Sequence, residues 1–167
     1  RSGYNRQILK NELQKIEAYS INRKEIYEEN ILKLINLSEN HEISTLIDNC
    51  LIHNEKRIKE ILNENNFSIE ECIQIIRFFL IKSKKLLVLS DQVEKTKSID
   101  EAIASAKPPI FWKDKEIIKK QLKIWTKEKV KNLIIRINNA ELLIKKNSTN
   151  SINILLDFIL NESFIRD

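Results

Sequence analysis

Cys50, Cys72, His41 and His53 are the side chains of this 167-residue sequence that could supply a nucleophile, an imidazole base or a soft metal ligand. Thiolate attack needs a cysteine beside a base, and a structural zinc site needs Cys or His at close, repeated spacing. Neither arrangement is present: there is no C-x-x-C, no H-E-x-x-H and no carboxylate cluster of the calcium type. Both cysteines fall on apolar faces of helical patterns and read as small buried residues of a protein in a reducing cytoplasm. The two histidines stand alone and read as solvated helix-end residues. A single glycine, at position 3, excludes a glycine-rich phosphate loop. Glu28-Glu29 and Glu70-Glu71 sit where helices start and complement the helix dipole rather than forming acid–base pairs. No catalytic residue, metal or cofactor is therefore expected.

Charge offers a different chemistry. The net charge of +5 is uneven: residues 1–106 carry −1, residues 107–147 carry +8 and residues 148–167 carry −2. Lys113, Lys115, Lys119, Lys120 and Lys123 fall on one short segment, and phosphate contacts by Lys115, Lys119, Lys120 and Lys123 would make a basic helical nucleic-acid-binding module. One phosphate contact from each of the five lysines, Lys113 included, implies a log–log salt slope of roughly −4 to −5 on duplex DNA. Lysines that merely solvate an amphipathic helix are the plainer reading.

The same stretch holds both prolines and both tryptophans, in Lys107-Pro108-Pro109-Ile110-Phe111-Trp112-Lys113 and then Gln121 and Trp125. Two successive prolines remove two backbone donors, so a helix cannot run on from Ala106. Phe111 and Trp112 are adjacent and cannot both easily enter one core. The motif reads as a fixed corner between helices, part of which faces a partner, where aromatic residues are enriched. Ile110, Phe111, Trp112 and Trp125 are expected at or behind that surface, with Gln121 capping the carbonyls of the corner.

The elements that must position this corner are helices. Apolar residues are 42% and charged residues 32%, which suits a packed domain rather than a disordered chain. No apolar run approaches the roughly 20 residues that span a bilayer, and no signal peptide is seen. There is no methionine, even at position 1, so the chain reads as a C-terminal piece of something longer. Apolar spacing predicts helices over 5–19 (Ile8, Leu9, Leu13, Ile16) and 23–34, with a break at 20–22. The polar run 36–41 reads as a turn and a domain boundary. Helices are then predicted over 42–53 (Ile43, Leu46, Ile47, Cys50, Leu51), 54–65 (Ile58, Ile61, Leu62), 69–95, 99–105, 113–124, 126–146 and 151–161. Ser68 with Glu71, and Ser98 with Glu101, have capping-box spacing; Thr126 caps with Lys129 at that position. Around Ile75–Ile81 the apolar positions nearly encircle the helix, which makes it the buried central element. The core face of the 126–146 helix is Val130, Leu133, Ile134, Ile137, Ala140 and Leu143–Ile144. Helices of this length joined by short loops make an all-α bundle.

Three blocks resemble the delta subunits of the bacterial DNA polymerase III clamp loader, in their alphaproteobacterial form. The first is Asn11-Glu12-Leu13-Gln14-Lys15-Ile16. The second is Leu46-Ile47-Asp48-Asn49-Cys50, Asn54 and Phe67 through Arg77. The third, and most specific, runs from Lys107 to Lys113, through Gln121, Leu122 and Trp125, to Ala140-Glu141-Leu142-Leu143-Ile144-Lys145. Trp112 stands where phenylalanine is usual. Asn54, and Asn65 or Asn66, stand where glycines are common, and asparagine tolerates a left-handed backbone. The resemblance implies that residues 1–37 end an AAA+ lid-like helical domain and that residues 38–167 form the helical collar, an oligomerisation domain. It implies a non-catalytic subunit fragment without ATPase or polymerase motifs, whose parent holoenzyme is a DNA-directed DNA polymerase. It also implies assembly with the ATPase subunits (gamma/tau) and delta prime, so that the sliding clamp is loaded on primed DNA. The clamp itself would be reached only through an N-terminal domain outside this sequence.

Overall fold

With so few breakers, the chain leaves helix only where a cap or the Pro-Pro pair forces it to. In the computed structural model every regular element among the described residues is helical. Those residues are 37–65 and 67–164, with 10, 13, 14, 16–18, 20 and 21 before them. The chain divides into two compact units, Arg1–Ser44 and Thr45–Asp167. None of the helices among the described residues is long and apolar enough to cross a membrane.

In the first unit, residues 10, 13, 14, 16–18 and 20 are helical and Ile21 is in a turn. Ser20 was expected in the break but remains helical. Its hydroxyl donates to the Glu17 carbonyl (2.7 Å), a bond that lets serine ride inside a helix. Leu13, expected on an apolar face, is exposed. The helix expected over 23–34 lies outside the described residues.

Helix α1 spans Leu37–Leu51, so the run 36–41 is not a turn from Leu37 onward. Polarity alone does not stop a helix: Ser, Glu, Asn and His each cost only tenths of a kcal/mol there, and the run lacks Gly and Pro. The helix ends in a left-handed residue, His53 (φ 55°). The His53 amide donates to Cys50 and the Asn54 amide to Asn49, the paired bonds of a Schellman end. Among the described residues other than glycine the left-handed positions are His53 and Lys97, and neither Asn54 (φ −85°) nor Asn65 (φ −119°) is one; Asn66 lies outside the described residues. Asn54 instead caps α2, Glu55–Glu64, and its amide nitrogen donates to Asn49 Oδ1 (2.8 Å).

Ser68 opens α3, Ile69–Thr96, with both bonds of a capping box: Glu71 N–H to Ser68 Oγ (3.2 Å) and Ser68 N–H to Glu71 Oε2 (2.7 Å). Its buried residues, including Cys72, Ile75, Ile76, Phe79, Leu86 and Leu89, recur at helical spacing. The helix is central, packing against α4 (Ile99–Ala104), α5 (Lys115–Ile124), α6 (Lys127–Lys146) and α7 (Ser151–Phe164). It is not covered all round, because Ile81 and Val88 are exposed. Ser98 and Thr126 cap α4 and α6 through their hydroxyls, and Ser105 lies just beyond α4 rather than in it. Short 3-10 turns at Trp112–Asp114 and Ser148–Asn150 lead into α5 and α7.

Val130, Leu133, Ile137, Ala140 and Ile144 of α6 are buried, but Leu143 is exposed. It sits about 100° around the helix from Ile144, off the core stripe. Helix α7 runs past Asn161 because Glu162 and Ser163 are buried against the bundle. Glu162 takes two bonds from Arg136 of α6, Nε–Oε1 at 2.5 Å and Nη2–Oε2 at 2.7 Å. Phe79 of α3 meets Phe158 of α7 edge-on, centroids 5.5 Å apart. Each large apolar side chain buried this way stabilises by about 1.5–3 kcal/mol.

Candidate interaction surface at the Pro-Pro corner

Pro108 and Pro109 end the helical path after α4 and turn the chain into the 3-10 segment. There the Asp114 amide donates to the Phe111 carbonyl (2.9 Å). The corner has an inner and an outer half. Ile110, Gln121 and Trp125 are buried. The Trp125 indole N–H donates to the carbonyl of Leu51, at the end of α1 (2.7 Å), and its ring stacks on His53 with centroids 5.8 Å apart. The Trp125 carbonyl accepts from Ser90 of α3 (3.2 Å). Gln121 does not cap the carbonyls of the corner. Its side-chain nitrogen donates to Asp48 Oδ1 of α1 (3.1 Å). The other Asp48 oxygen pairs with Lys82 of α3. Burial holds the Lys82 ammonium below the usual lysine range, with Asp48 opposing that shift.

On the outer half, Trp112 is 68% exposed and Phe111 43%. Their rings lie 5.7 Å apart. Lys113 Nζ sits 5.3 Å from the Trp112 ring centroid, within cation–π range. Lys107, Pro108, Pro109, Lys113 and Lys115, in the same stretch of sequence, are exposed as well.

Much of the basic excess is neutralised locally. Lys119, named as a phosphate contact, pairs with Asp100 of α4 (2.6 Å), which raises its pKa. Lys127 pairs with Asp91 and Glu94, and Lys145 with Glu141 (2.6 Å), which also faces Arg77 (3.5 Å). Hydrogen bonds from Lys127 and Lys95 draw the Asp91 carboxyl down to about 2. Lys115, Lys120 and Lys123 remain exposed on α5.

The cysteines and histidines divide differently. Cys50 is buried, and burial pushes its thiol up to about 12, so it packs as a protonated side chain. Burial likewise raises Cys72. His53 is half-buried rather than solvated: its Nδ1–H donates to the Ser163 carbonyl (3.2 Å), far along the chain. The side chain of His41 lies outside the described residues. Sequence reasoning missed Lys82, Ser90 and the Arg136–Glu162 pair, for which no local pattern gives a signal. Asp48 was visible only within the second resemblance block.

Comparison with known proteins returns no match: no family model matches the chain, and no curated protein or solved structure does so at a significant level.

Proposed function

We propose that this chain is the C-terminal part of a clamp-loader delta-type subunit, with residues from about 38 onward acting as a helical collar. Residues 1 to about 37 are then the end of an AAA+ lid-like domain. The observation that carries this reading is long-range pairing between the resemblance blocks. Asp48 of the second block bonds Gln121 of the third, and Arg77 of the second pairs with Glu141 of the third. Residues that follow the family pattern in distant segments therefore serve one packing scheme.

In this role the bundle acts in the cytoplasm by holding its neighbours rather than by catalysis. The ATPase subunits and delta prime would pack on exposed apolar positions two turns apart, Ile81 and Val88 on α3 and Ile135 and Leu142 on α6. These positions suit a helical neighbour, since i and i+7 lie on one face.

The test is co-elution of the chain with the ATPase subunit and delta prime, read by size exclusion with light scattering. A stable complex is expected, and Ile81→Glu with Ile135→Glu should abolish it without unfolding the bundle. A chain folded by circular dichroism that forms no complex, alone or within the full-length subunit, would overturn the reading.

A further inference from the structure

We propose that the outer half of the Pro-Pro corner is a docking site for a short acidic peptide segment with one bulky apolar side chain, which Phe111 and Trp112 receive. The proposal does not depend on the collar reading, which places its partners on α3 and α6. Three observations meet at one place. The first is exposure on a fixed backbone. Phe111 and Trp112 are exposed, while Ile110 just before them is buried. The two prolines fix φ on the approach, and the Asp114 amide bonds back to the Phe111 carbonyl. The backbone that carries the rings is set before a partner arrives, so little of its entropy is lost on binding. The second observation is the arrangement of the rings. Their centroids are 5.7 Å apart and their planes diverge by 44°, so they do not form one flat face. Lys113 Nζ lies over the Trp112 ring, 5.3 Å from its centroid. A planar ligand stacked in that place would have to displace the ammonium. An apolar side chain beside a carboxylate uses both features, the first packing on the rings and the second meeting Lys113. The third observation is charge. Residues 107–124 carry six lysines against Asp114 and Glu116, a net +4. Asp100 takes up Lys119. Lys107, Lys113, Lys115, Lys120 and Lys123 are exposed.

Tryptophan is among the side chains that dominate binding energy at protein interfaces, and lysine is not. Lysine belongs instead to the polar rim, where it stays in water and steers a partner of opposite charge. The corner has both parts: an aromatic centre, and lysines that stay exposed next to it in sequence. Two adjacent rings hold one apolar side chain rather than a broad surface, which is why the partner is a short segment. The corner offers no strand edge, and Pro108 and Pro109 have no amide to donate. Recognition therefore runs through side chains and not through a backbone ladder. The apolar anchor of the peptide should matter greatly, and the order of the acidic residues around it should matter little.

The probe is a fluorescein-labelled Glu-Glu-Phe-Glu-Glu peptide, titrated with the whole chain at low salt and read by anisotropy. The controls carry the same label: the peptide with alanine for phenylalanine, the peptide with lysine for every glutamate, and oligothymidylate. The phenylalanine peptide is expected to bind saturably. Alanine in the peptide, or Trp112→Ala in the chain, should each weaken binding about thirtyfold, the scale of one hot-spot residue. Because the two groups touch, the changes together should cost little more than either alone. Lys113→Glu should weaken binding, and so should added salt as the Debye length shortens to about 8 Å. The emission of buried Trp125 reports that each variant is folded. Ile81→Glu with Ile135→Glu, which tests the collar reading, should leave peptide binding unchanged. Absence of binding at low salt overturns the proposal. So does an alanine peptide or a lysine peptide that binds like the parent peptide, or a Trp112→Ala chain that binds like the parent chain. Oligothymidylate that binds more tightly than the phenylalanine peptide would assign the corner to nucleic acid, and the proposal would fall.

Discussion

Replacing Arg136 by methionine would leave the Glu162 carboxylate buried without the two charge-assisted bonds that satisfy it. Glu162 is 3% exposed at its side chain, whereas the Arg136 side chain is 41% exposed. Hydrogen bonding to Glu162 raises the Arg136 pKa, in keeping with a tight, oriented pair. Removing one partner of a buried ion pair typically costs 3–5 kcal/mol, against 0–1 for a surface pair. Because water reaches the arginine side, the expected cost is at the lower end, about 3 kcal/mol. Against a total stability of about 5–15 kcal/mol this is large, and it corresponds to a fall in Tm of roughly 10 °C. Urea unfolding followed by circular dichroism should show a lower midpoint with an unchanged slope. Arg136→Lys should fall between, since lysine keeps the charge but loses the planar two-point geometry. Arg136→Met with Glu162→Leu should recover most of the loss, because the orphaned charge is gone. A single Arg136→Met cost below about 1 kcal/mol would show that the pair behaves as a surface bridge, and the reasoning would fail.

Other expectations follow from the same geometry. Asp91, held near 2, contributes stability that is fully present above the ordinary carboxylate range and is lost as pH falls towards 2. Carboxyl titration by NMR should find that depressed value, and Asp91→Asn should flatten the acid limb of the stability curve. Cys50 should resist maleimide at neutral pH until the bundle unfolds, because its thiol is buried and pushed up to about 12; rapid native-state labelling would contradict this. Trp125→Phe removes the donor to the Leu51 carbonyl and should cost about 1–3 kcal/mol in urea unfolding. Ser68→Ala should cost about 1 kcal/mol by loss of the α3 cap.

What was legible in the sequence was what is local. The caps at Ser68, Ser98 and Thr126 depend on a residue three positions on, and each is present. The core stripe of α6 follows the helical period from Val130 to Ile144. The corner was legible as a corner because prolines act on their own backbone. Which of its aromatics face inward was not, since Trp112 and Trp125 are equal in chemistry and differ only in what surrounds them. Polarity misled at 36–41, where no residue forbids a helix. Glycine substitution misled at the end of α1, where His53 rather than Asn54 takes the left-handed position. The bonds Gln121–Asp48, His53–Ser163 and Arg136–Glu162 join segments that no spacing rule connects.

The turn that closes α1 also sets a timetable for the growing chain. The Leu51 carbonyl is satisfied by an indole 74 residues later, and the His53 ring by a carbonyl 110 residues later. A ribosome adding about 5–20 residues per second needs roughly 5–20 s to cover that second interval. Leu46, Ile47 and Leu51 are all buried in the finished fold, so their cover is incomplete until those later segments have been made. The earliest-made helix of this bundle is thus among the last to be secured, and the nascent chain carries a sticky apolar segment that a holding chaperone would shield until α7 has emerged.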